Sequence, residues 1–269
     1  VSGALALPIF RLAGLPVILN IDGAEWKRGK WNRVIKAFLW LSEYVGIRSA
    51  KVVVSDSDVL SDYVRSKYNK EPRTIAYGGD HVKLQPAGAK LSELGLTPNH
   101  YAITVCRIVP ENNVDLILSA FSETSIVFIL VGNFNSSDFG RELRRIYASY
   151  SNITLLDPIY EPVLIDELRS NAGLYVHGHS VGGTNPSLVE AMCLGLNTLA
   201  FDVDYNRSTT DNQAHYFGSK AELLHQLKEY EKGMLSDNST SLHRIGHSKY
   251  SWSAIMAGYT DTLKSTLKP

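Results

Sequence analysis

The sequence has 269 residues, enough for two domains of ordinary size, and its hydrophobic and charged fractions of 44% and 20% are typical of globular proteins. Its 27 Lys and Arg residues balance 27 Asp and Glu residues, so the net charge gives no reason to expect nucleic acid as a partner. Cys106 and Cys193 lie far apart in apolar runs, which favours buried thiols in a reducing compartment, and we predict a cytoplasmic protein.

The beginning of the chain is apolar but lacks the pattern of a membrane anchor. Pro8, Arg11, Gly14 and Pro16 interrupt the run before it reaches the roughly 20 apolar residues that a spanning helix needs. The sequence also has no initiator Met, and its first residues already lie within the alternation of strand-like and helical segments. We interpret it as an N-terminally truncated chain.

The N-terminal part alternates strand-like apolar runs with helical patterns. Strands are predicted at residues 16–21, 50–56 and 73–78. A helix is predicted from about Trp31 to Gly46, with an apolar face formed by Val34, Ile35, Phe38, Leu41 and Val45. A second helix follows potential caps at residues 55–58 and ends near Tyr68.

The alternation resumes after residues 78–99, a segment of low periodicity that we predict to separate two domains. Five further strands are predicted in the runs YAITVC, SIVFILVG, NITLLD, AGLYVHG and NTLAFDV. Helices are predicted near 112–121, 138–150, 162–171 and 186–195, and a last one from Trp252 to about Leu267. Apolar strands joined by helices indicate parallel sheets, which bind ligands beyond the carboxyl ends of their strands.

The segment HGHSVGGTNPSLVEAMCLG, residues 177–195, is the most informative part of the sequence. Asn185 is a good helix N-cap, and Pro186 is favoured at the first helical position. Backbone amides at that helix start would attract an anion, and Glu190, on the same face, could accept two neighbouring hydroxyls. A nucleoside diphosphate sugar requires both features. The alternative is an ordinary strand–loop–helix turn with a solvated Glu190.

A second segment, VCRIVPENNVDLILSAF, covers residues 105–121. Arg107 follows a predicted strand, where its guanidinium would suit bidentate contact with a pyrophosphate. The alternative is a surface arginine that pairs with Glu111 or Asp115.

Together these segments resemble the donor-binding domain of family 4 glycosyltransferases. ILNIDGAEWKRGKW at 18–31 and YSWSAIMAGY at 250–259 are similar to the bacterial rhamnosyltransferase-like branch used in surface polysaccharide assembly. The resemblance implies an α/β chain of GT-B type with two Rossmann-like parallel-sheet domains. Residues 1–78 would be an incomplete acceptor-binding domain and 79–248 the donor-binding domain. Residues 249–269 would form a helix that returns to the N-terminal domain.

The resemblance also assigns residues to the donor. Glu190 matches the second Glu of a Glu-x7-Glu motif that binds the ribose hydroxyls, and Gly182 replaces the first Glu. The loop and helix start that contact sugar and phosphate fall on Gly183, Thr184, Asn185 and Pro186. Arg107 matches the arginine of a diphosphate-binding Arg/Lys pair, with Asn112 in place of the lysine.

Two further segments complete the predicted donor site. By similarity, the backbone near Ile159 would bind the nucleobase and Tyr160 would pack on it, unless Tyr160 is only a half-buried aromatic residue. Asn133 ends another strand and would touch the diphosphate, although any loop asparagine fits that description.

On the acceptor side, Asp22 ends a predicted strand and would orient or deprotonate the attacking hydroxyl; the alternative is an aspartate that makes a turn. A basic and aromatic cluster at residues 26–36 would contact anionic lipid at the inner membrane face, or else form a solvated helix start with tryptophans in the core. His177 and His179 have no third ligand at a suitable spacing, so no metal is predicted.

The function expected from this resemblance is retaining transfer of a hexose or deoxyhexose, for example rhamnose from dTDP-rhamnose. The acceptor would be a saccharide or lipid-linked saccharide in polysaccharide biosynthesis. The leaving diphosphate would serve as base, no cofactor is needed, and the truncated chain itself would be inactive. Two alternatives stay open: a sugar-nucleotide epimerase of the same architecture, and a non-catalytic nucleotide-sugar-binding protein, suggested by Gly182 and Asn112.

Overall fold

The computed structural model describes residues 2–21, 23–27 and 31–267. The chain divides into two compact units. Unit 1 contains the described residues of Val1–Tyr77, Val181–Thr184 and Trp252–Pro269. Unit 2 contains Gly78–Ser180 and Asn185–Ser251.

The described elements alternate along the chain. The strands are β1 (Ile18–Ile21), β2 (Val52–Ser55), β3 (Arg73–Thr74), β4 (Tyr101–Val105), β5 (Val127–Val131), β6 (Ile153–Leu156), β7 (Leu174–His177), β8 (Thr198–Phe201) and β9 (His215–Phe217). The α-helices are α1 (Leu7–Leu12), α2 (Arg33–Ser49), α3 (Asp58–Tyr68), α4 (Ala89–Glu93), α5 (Val114–Phe121), α6 (Asp138–Tyr147), α7 (Pro162–Ser170), α8 (Pro186–Cys193), α9 (Asp204–Thr209), α10 (Lys220–Glu231), α11 (Ser239–Lys249) and α12 (Trp252–Leu267).

Unit 1 is built on a parallel sheet in the order β1-β2-β3. Successive residues of β2 point to opposite faces, and both faces are covered. Val53 packs in one cluster with residues of α2 and α3, such as Ile47 and Leu60. Val54 packs in another cluster with Ile255 of α12. The central strand is therefore apolar in its first three residues, the sequence run VVV, and ends at Ser55.

Unit 2 is built on a six-stranded parallel sheet in the order β6-β5-β4-β7-β8-β9. The order runs outward from β4 in one direction and from β7 in the other, which is the strand order of a Rossmann fold. Consecutive β4 residues such as Ala102 and Ile103 are fully buried, so helices cover both faces. The switch between β4 and β7 opens a crevice at the carboxyl edge of the sheet, where such folds bind ligands.

Most of the predicted strands and helices are confirmed, with local differences. The third strand is shorter than predicted and comprises only Arg73–Thr74. The segment 78–99 contains α4, and α7 holds it in place: Lys83 and Gly88 donate backbone hydrogen bonds to Asp166 (2.9 Å) and Glu167 (3.0 Å). The prediction did not include β9, α9, α10 and α11.

The prediction that the apolar face of α2 is buried is wrong. Val34 and Phe38 are 78% and 46% exposed, whereas Leu39 and Ile47 are buried. The buried face of the helix also contains Gly46, where a Cβ would lie 2.7 Å from Cβ of Ala4. In the described part of the chain, every helix is too short or too polar to cross a membrane.

Candidate functional site

Four of the predicted donor-binding residues line one cavity of about 500 Å³ in unit 2: Arg107, Asn133, Ile159 and Tyr160. The cavity lies at the carboxyl ends of β4, β5 and β6, and Ser187 in the first turn of α8 also lines it. Parallel α/β sheets bind ligands at this edge, and the volume falls within the range of small-molecule sites. Residues that the sequence analysis selected after three separate strands thus lie at one cavity, and their contact with a donor stays a prediction.

Gly132 allows the ends of β4 and β5 to approach each other beneath this cavity. A Cβ at this position would lie 2.5 Å from the carbonyl oxygen of Cys106 and 2.6 Å from Cδ1 of Ile108. The backbone is fixed there, because Cys106 N donates to Val131 O (3.1 Å) and Gly132 N to Leu156 O (3.0 Å). A glycine is therefore required for steric reasons.

The side chain of Arg107 is exposed in the cavity. Within the described ranges, its guanidinium forms no ion pair with Glu111, Asp115 or any other carboxylate, so the alternative of a paired surface arginine is wrong. An unpaired guanidinium offers its N–H donors to a ligand. The geometry suits an anion with two oxygens, such as a phosphate.

Asn112, predicted as a donor contact, is 4% exposed and braces the segment that carries Arg107. Its Nδ2 donates to the carbonyl of Arg107 (2.7 Å), and its Oδ1 lies 2.8 Å from Nδ1 of His179. Both ends of this amide are thus engaged inside the protein. Direct contact between Asn112 and a donor stays a prediction.

Tyr160 and Asn133 stand at the rim of the cavity. Tyr160 is 83% exposed, so the alternative of a half-buried aromatic residue is wrong. Asn133 is exposed, and its Oδ1 accepts a hydrogen bond from Asn135 N (3.1 Å), which fixes the side chain in the turn after β5. Both side chains present polar or aromatic surface to a ligand without any change in the core.

Glu190 is not solvated, contrary to the alternative considered for it. Its Oε2 lies 2.6 Å from Nη2 of Arg169, and the two side chains are 14% and 6% exposed. Its Oε1 lies 3.4 Å from Nε2 of His81. Glu190 is also absent from the lining of the cavity that contains Arg107, so the shared opening expected for the two residues is not observed. Arg169, inside α7, carried no sequence signal.

The start of α8 has the predicted cap, but its amides are already used. The side chain of Asn185 accepts from Ser187 N (3.0 Å), Pro186 has no N–H, and Leu188 N and Val189 N donate to Asn185 O (3.1 and 3.2 Å). The helix start therefore contributes the partial positive charge of its dipole, and the free amide donors predicted at this turn are not observed.

The loop 181–184 belongs to unit 1, and its glycines have structural reasons. Gly182 has φ +139°, a conformation that glycine adopts readily and a glutamate would not. A Cβ on Gly183 would lie 1.9 Å from Oδ1 of Asp56. Thr184 donates its hydroxyl proton to the carbonyl of Asp56 (2.6 Å). Asp56, which the sequence analysis did not single out, thus packs directly against this loop.

Asp22 lies outside the described residues, as do two members of the basic cluster, Arg28 and Lys30. The two tryptophans of that cluster are partly buried and bonded: Trp26 Nε1 donates to Glu43 Oε1 (3.3 Å) and Trp31 Nε1 to Glu25 Oε1 (3.0 Å). Both tryptophans are thus half-buried and hydrogen-bonded to glutamates, and contact of this cluster with lipid stays a prediction.

Two titratable side chains at the carboxyl ends of the neighbouring strands β7 and β4 stay neutral, namely His177, which is buried, and Cys106, which is partly buried. The pKa of His177 lies well below its ordinary value of 6.5, because burial and then the neighbouring His179 disfavour its charged form. Burial raises the pKa of the Cys106 thiol to about 12. In the described ranges, no three or more His, Cys, Asp or Glu side chains are grouped to hold a metal ion.

Comparisons with known proteins extend these observations. Residues 5–80 match the model of a domain of unknown function, DUF1972. No curated protein matches the chain. The structure is similar to HepE from Anabaena in complex with UDP, with a TM-score of 0.80, 14% identity, and coverage of 97% of this chain and 76% of that one. For HepE in complex with UDP-glucose, the TM-score is 0.81 and the sequence identity is 15%, with 97% of this chain and 75% of that one covered.

Two other similar structures are those of a sucrose-phosphate synthase and an O-GlcNAc transferase. Sucrose-phosphate synthase from Thermosynechococcus elongatus gives a TM-score of 0.79 at 13% identity, with 95% of this chain and 70% of that one covered. The pneumococcal O-GlcNAc transferase GtfA in complex with UDP and GlcNAc gives a TM-score of 0.70 at 13% identity, with 99% of this chain and 55% of that one covered. At such identities the likeness shows the fold alone. The expected fold class, α/β of GT-B type with two parallel-sheet units, is confirmed.

Proposed function

We propose that unit 2 binds a nucleoside diphosphate sugar in the cavity lined by Arg107, and that the chain is part of a glycosyltransferase. The observation that carries this proposal is the unpaired guanidinium of Arg107 in a cavity at the strand switch point, with Tyr160 exposed at the rim. The fold supports it, since HepE has a similar fold and its structure contains UDP or UDP-glucose.

In the proposed complex, each cavity residue has a distinct task. Arg107 neutralises the diphosphate, and the positive end of α8 adds to the same field. Tyr160 packs on the base, and the backbone at Ile159 binds its edge. Asn133 contacts the diphosphate. The protein then acts chiefly by stabilising the charge that develops on the departing diphosphate.

Glu190 stays our proposed ligand of the ribose hydroxyls. A carboxylate oxygen accepts more than one hydrogen bond, so the pairing with Arg169 leaves acceptor capacity on both oxygens. Arg169 would then orient this carboxylate. Gly183, Thr184, Asn185 and Pro186 would contact the sugar and phosphate, and Asp22 the acceptor hydroxyl. Gly182 and Asn112 mark where the related motifs have a carboxylate and an ammonium.

We further propose transfer with retention of configuration, from a hexosyl or deoxyhexosyl donor such as dTDP-rhamnose to a saccharide or lipid-linked saccharide. The departing diphosphate would take the proton of the attacking hydroxyl, so no protein nucleophile is involved. The setting would be polysaccharide biosynthesis in the cytoplasm, with peripheral contact at the inner membrane face. The 269-residue chain by itself would bind the donor without transfer.

Calorimetric titration tests donor binding. The chain is titrated with UDP, dTDP and GDP, and then with UDP-glucose and dTDP-rhamnose. At least one nucleotide should bind, and Arg107→Gln should weaken it about tenfold or more, because a charge-assisted hydrogen bond contributes roughly 1.5–3 kcal/mol. Arg141→Gln, which removes an exposed arginine of α6, is the matched control. Equal affinity in both variants, or no binding, contradicts the proposal.

The buried position of Asn112 and the backbone conformation of Gly182 favour one second candidate, a non-catalytic nucleotide-sugar-binding protein. An assay of the full-length protein with a labelled donor separates the candidates. Product that requires a saccharide acceptor supports transfer. A changed sugar without an acceptor supports epimerisation. Binding without turnover across a broad acceptor panel supports the binding protein.

A further inference from the structure

Unit 1 contains a cavity of about 710 Å³ whose lining includes Arg11, Arg48, Lys51 and Lys70 and no Asp or Glu among the described residues. Val17 and Lys51, which precede β1 and β2, also place it at the amino ends of these strands. Because parallel sheets bind their main ligands at the carboxyl ends of their strands, this cavity lies at the other edge of the sheet. None of the proposed donor-binding residues lines it.

Three of the four cations are fixed by carbonyl oxygens near helix ends. Lys70 Nζ donates to Ile47 O (2.8 Å) and to Ala50 O, and Arg11 Nη1 donates to Arg48 O (2.9 Å), so both cover the carboxyl end of α2. Lys51 Nζ donates to Thr266 O (2.8 Å) near the end of α12. A helix end carries about half a negative charge, so two ends offset roughly one of the four positive charges.

Among the described residues, three of these four cations have no carboxylate partner. In the part of the chain that the structure describes, Arg11, Arg48 and Lys70 form no ion pair with Asp or Glu. The charges affect one another: the pKa of Lys70 is lowered by burial and then by Arg11 and Arg48. A bound anion would relieve this repulsion.

The guanidinium N–H groups of Arg11 and Arg48 suit an anion with more than one oxygen. Arg11 uses one guanidinium N–H on the carbonyl of Arg48, and a guanidinium has about five such donors in a planar fork. Arg48 is exposed, and its guanidinium stacks over the ring of Tyr44 at 5.4 Å. Among the described residues, it donates no hydrogen bond to a protein oxygen. Guanidinium forks match two oxygens of one phosphate.

We propose that this cavity is a binding site for a phosphate group. The source that the surroundings favour is the headgroup of an anionic lipid. Leu12, Leu15 and Leu267 are 88%, 54% and 70% exposed beside the cationic residues, and apolar side chains next to cations are typical of membrane-surface contacts. A soluble phosphate ester shares the same chemistry and is the other source. This site is independent of donor binding in unit 2.

Two measurements on the 269-residue chain test the site. Inorganic phosphate is titrated by calorimetry at low ionic strength, and co-sedimentation is measured with vesicles of phosphatidylcholine alone or mixed equally with phosphatidylglycerol. Arg48→Gln is the main variant, since this exposed side chain can be replaced without loss of fold, and Arg11→Gln is the second. Lys264→Gln removes an exposed charge of α12 outside the cavity as the matched control.

Phosphate should bind, with affinity at least about tenfold lower in Arg48→Gln and unchanged in Lys264→Gln. Binding to the phosphatidylglycerol vesicles that is lost in Arg48→Gln and competed by phosphate assigns the site to a lipid headgroup. Phosphate binding without vesicle binding assigns it to a soluble phosphate ester. Absence of both interactions, or equal losses in Arg48→Gln and Lys264→Gln, overturns the proposal.

Discussion

Nη2 of Arg169 on α7 lies 2.6 Å from Oε2 of Glu190 on α8, with side chains that are 6% and 14% exposed. The pair joins two helices that cover the same sheet, and His81 approaches the other carboxylate oxygen at 3.4 Å. Two buried opposite charges hold each other in place, because either one alone would carry an uncompensated desolvation cost. The relationship fixes the carboxylate on which the ribose contact would depend.

The first prediction concerns the stability of this pair. Arg169→Met should lower the free energy of unfolding by about 3–5 kcal/mol, because it leaves the Glu190 charge buried without its partner. The double variant Arg169→Met/Glu190→Leu should recover part of that loss. Urea denaturation measures both effects.

An exposed ion pair is the matched control for the Arg169 and Glu190 variants. Arg145 pairs with Glu142 at 2.6 Å, with side chains that are 72% and 54% exposed. Arg145→Gln should change the stability by less than about 1 kcal/mol. Strictly additive losses in the Arg169 and Glu190 single and double variants would show that the two charges do not interact.

The second prediction concerns Tyr160, which is 83% exposed at the cavity rim. Tyr160→Ala should leave the melting temperature unchanged, since little surface is buried, yet lower the affinity for the bound nucleotide by about 1–3 kcal/mol, the contribution of stacking on one base. Tyr160→Phe keeps the ring and should keep the affinity. Calorimetry compares the three proteins. An unchanged affinity of Tyr160→Ala would remove this residue from the site.

The third prediction is a dependence of stability on acid pH. His177 is neutral in the folded protein because its pKa lies well below 6.5, whereas in the unfolded chain it is protonated below about pH 6.5. The unfolded state therefore binds more protons in that range. The free energy of unfolding therefore keeps its full value above pH 6.5. As the pH falls below 6.5 it decreases, by at most about 1.4 kcal/mol per pH unit for this group.

Urea denaturation between neutral and mildly acid pH measures this slope. His177→Leu should reduce it, and a residual slope should persist because the pKa of His243 is also lowered, by burial and then by His247. His225→Gln, at an exposed position of α10, should keep the slope of the original protein. An unchanged slope in His177→Leu would mean that this imidazole titrates normally.

Part of the site was predictable because the carboxyl ends of apolar strands can be recognised in the sequence. Arg107, Asn133 and the pair Ile159 and Tyr160 each follow such a run, and the strand order brings them to one cavity. Asn185 and Pro186 were predictable from local cap chemistry. Arg169 was not, because nothing within a helical segment indicates that its partner lies on the following helix.

In the fold, too, local sequence indicates some elements, whereas others depend on contacts between distant residues. The helix α10 was overlooked although Ser219 caps it and Leu223 and Leu227 are buried at helical spacing. The strand β9 has only three residues, too few for a periodic pattern. The outward apolar face of α2 could not be foreseen, because the choice of packing face depends on Gly46 meeting Ala4, a contact between distant residues.

The last prediction concerns the close approach beneath the cavity. Gly132→Ala should destabilise the protein by about 1–3 kcal/mol, because the new methyl group would lie 2.5 Å from the carbonyl of Cys106, whose backbone is held by the strand ladder. Relief of that clash would move Cys106 and shift the adjacent Arg107, so nucleotide affinity should fall as well. Gly218→Ala, whose methyl group would meet only Glu222 Oε2 at 3.5 Å, should change neither quantity. Denaturation and calorimetry on both variants decide the matter: a stable Gly132→Ala protein with normal affinity would mean that the two strand ends move apart easily, and that the cavity does not depend on their fixed spacing.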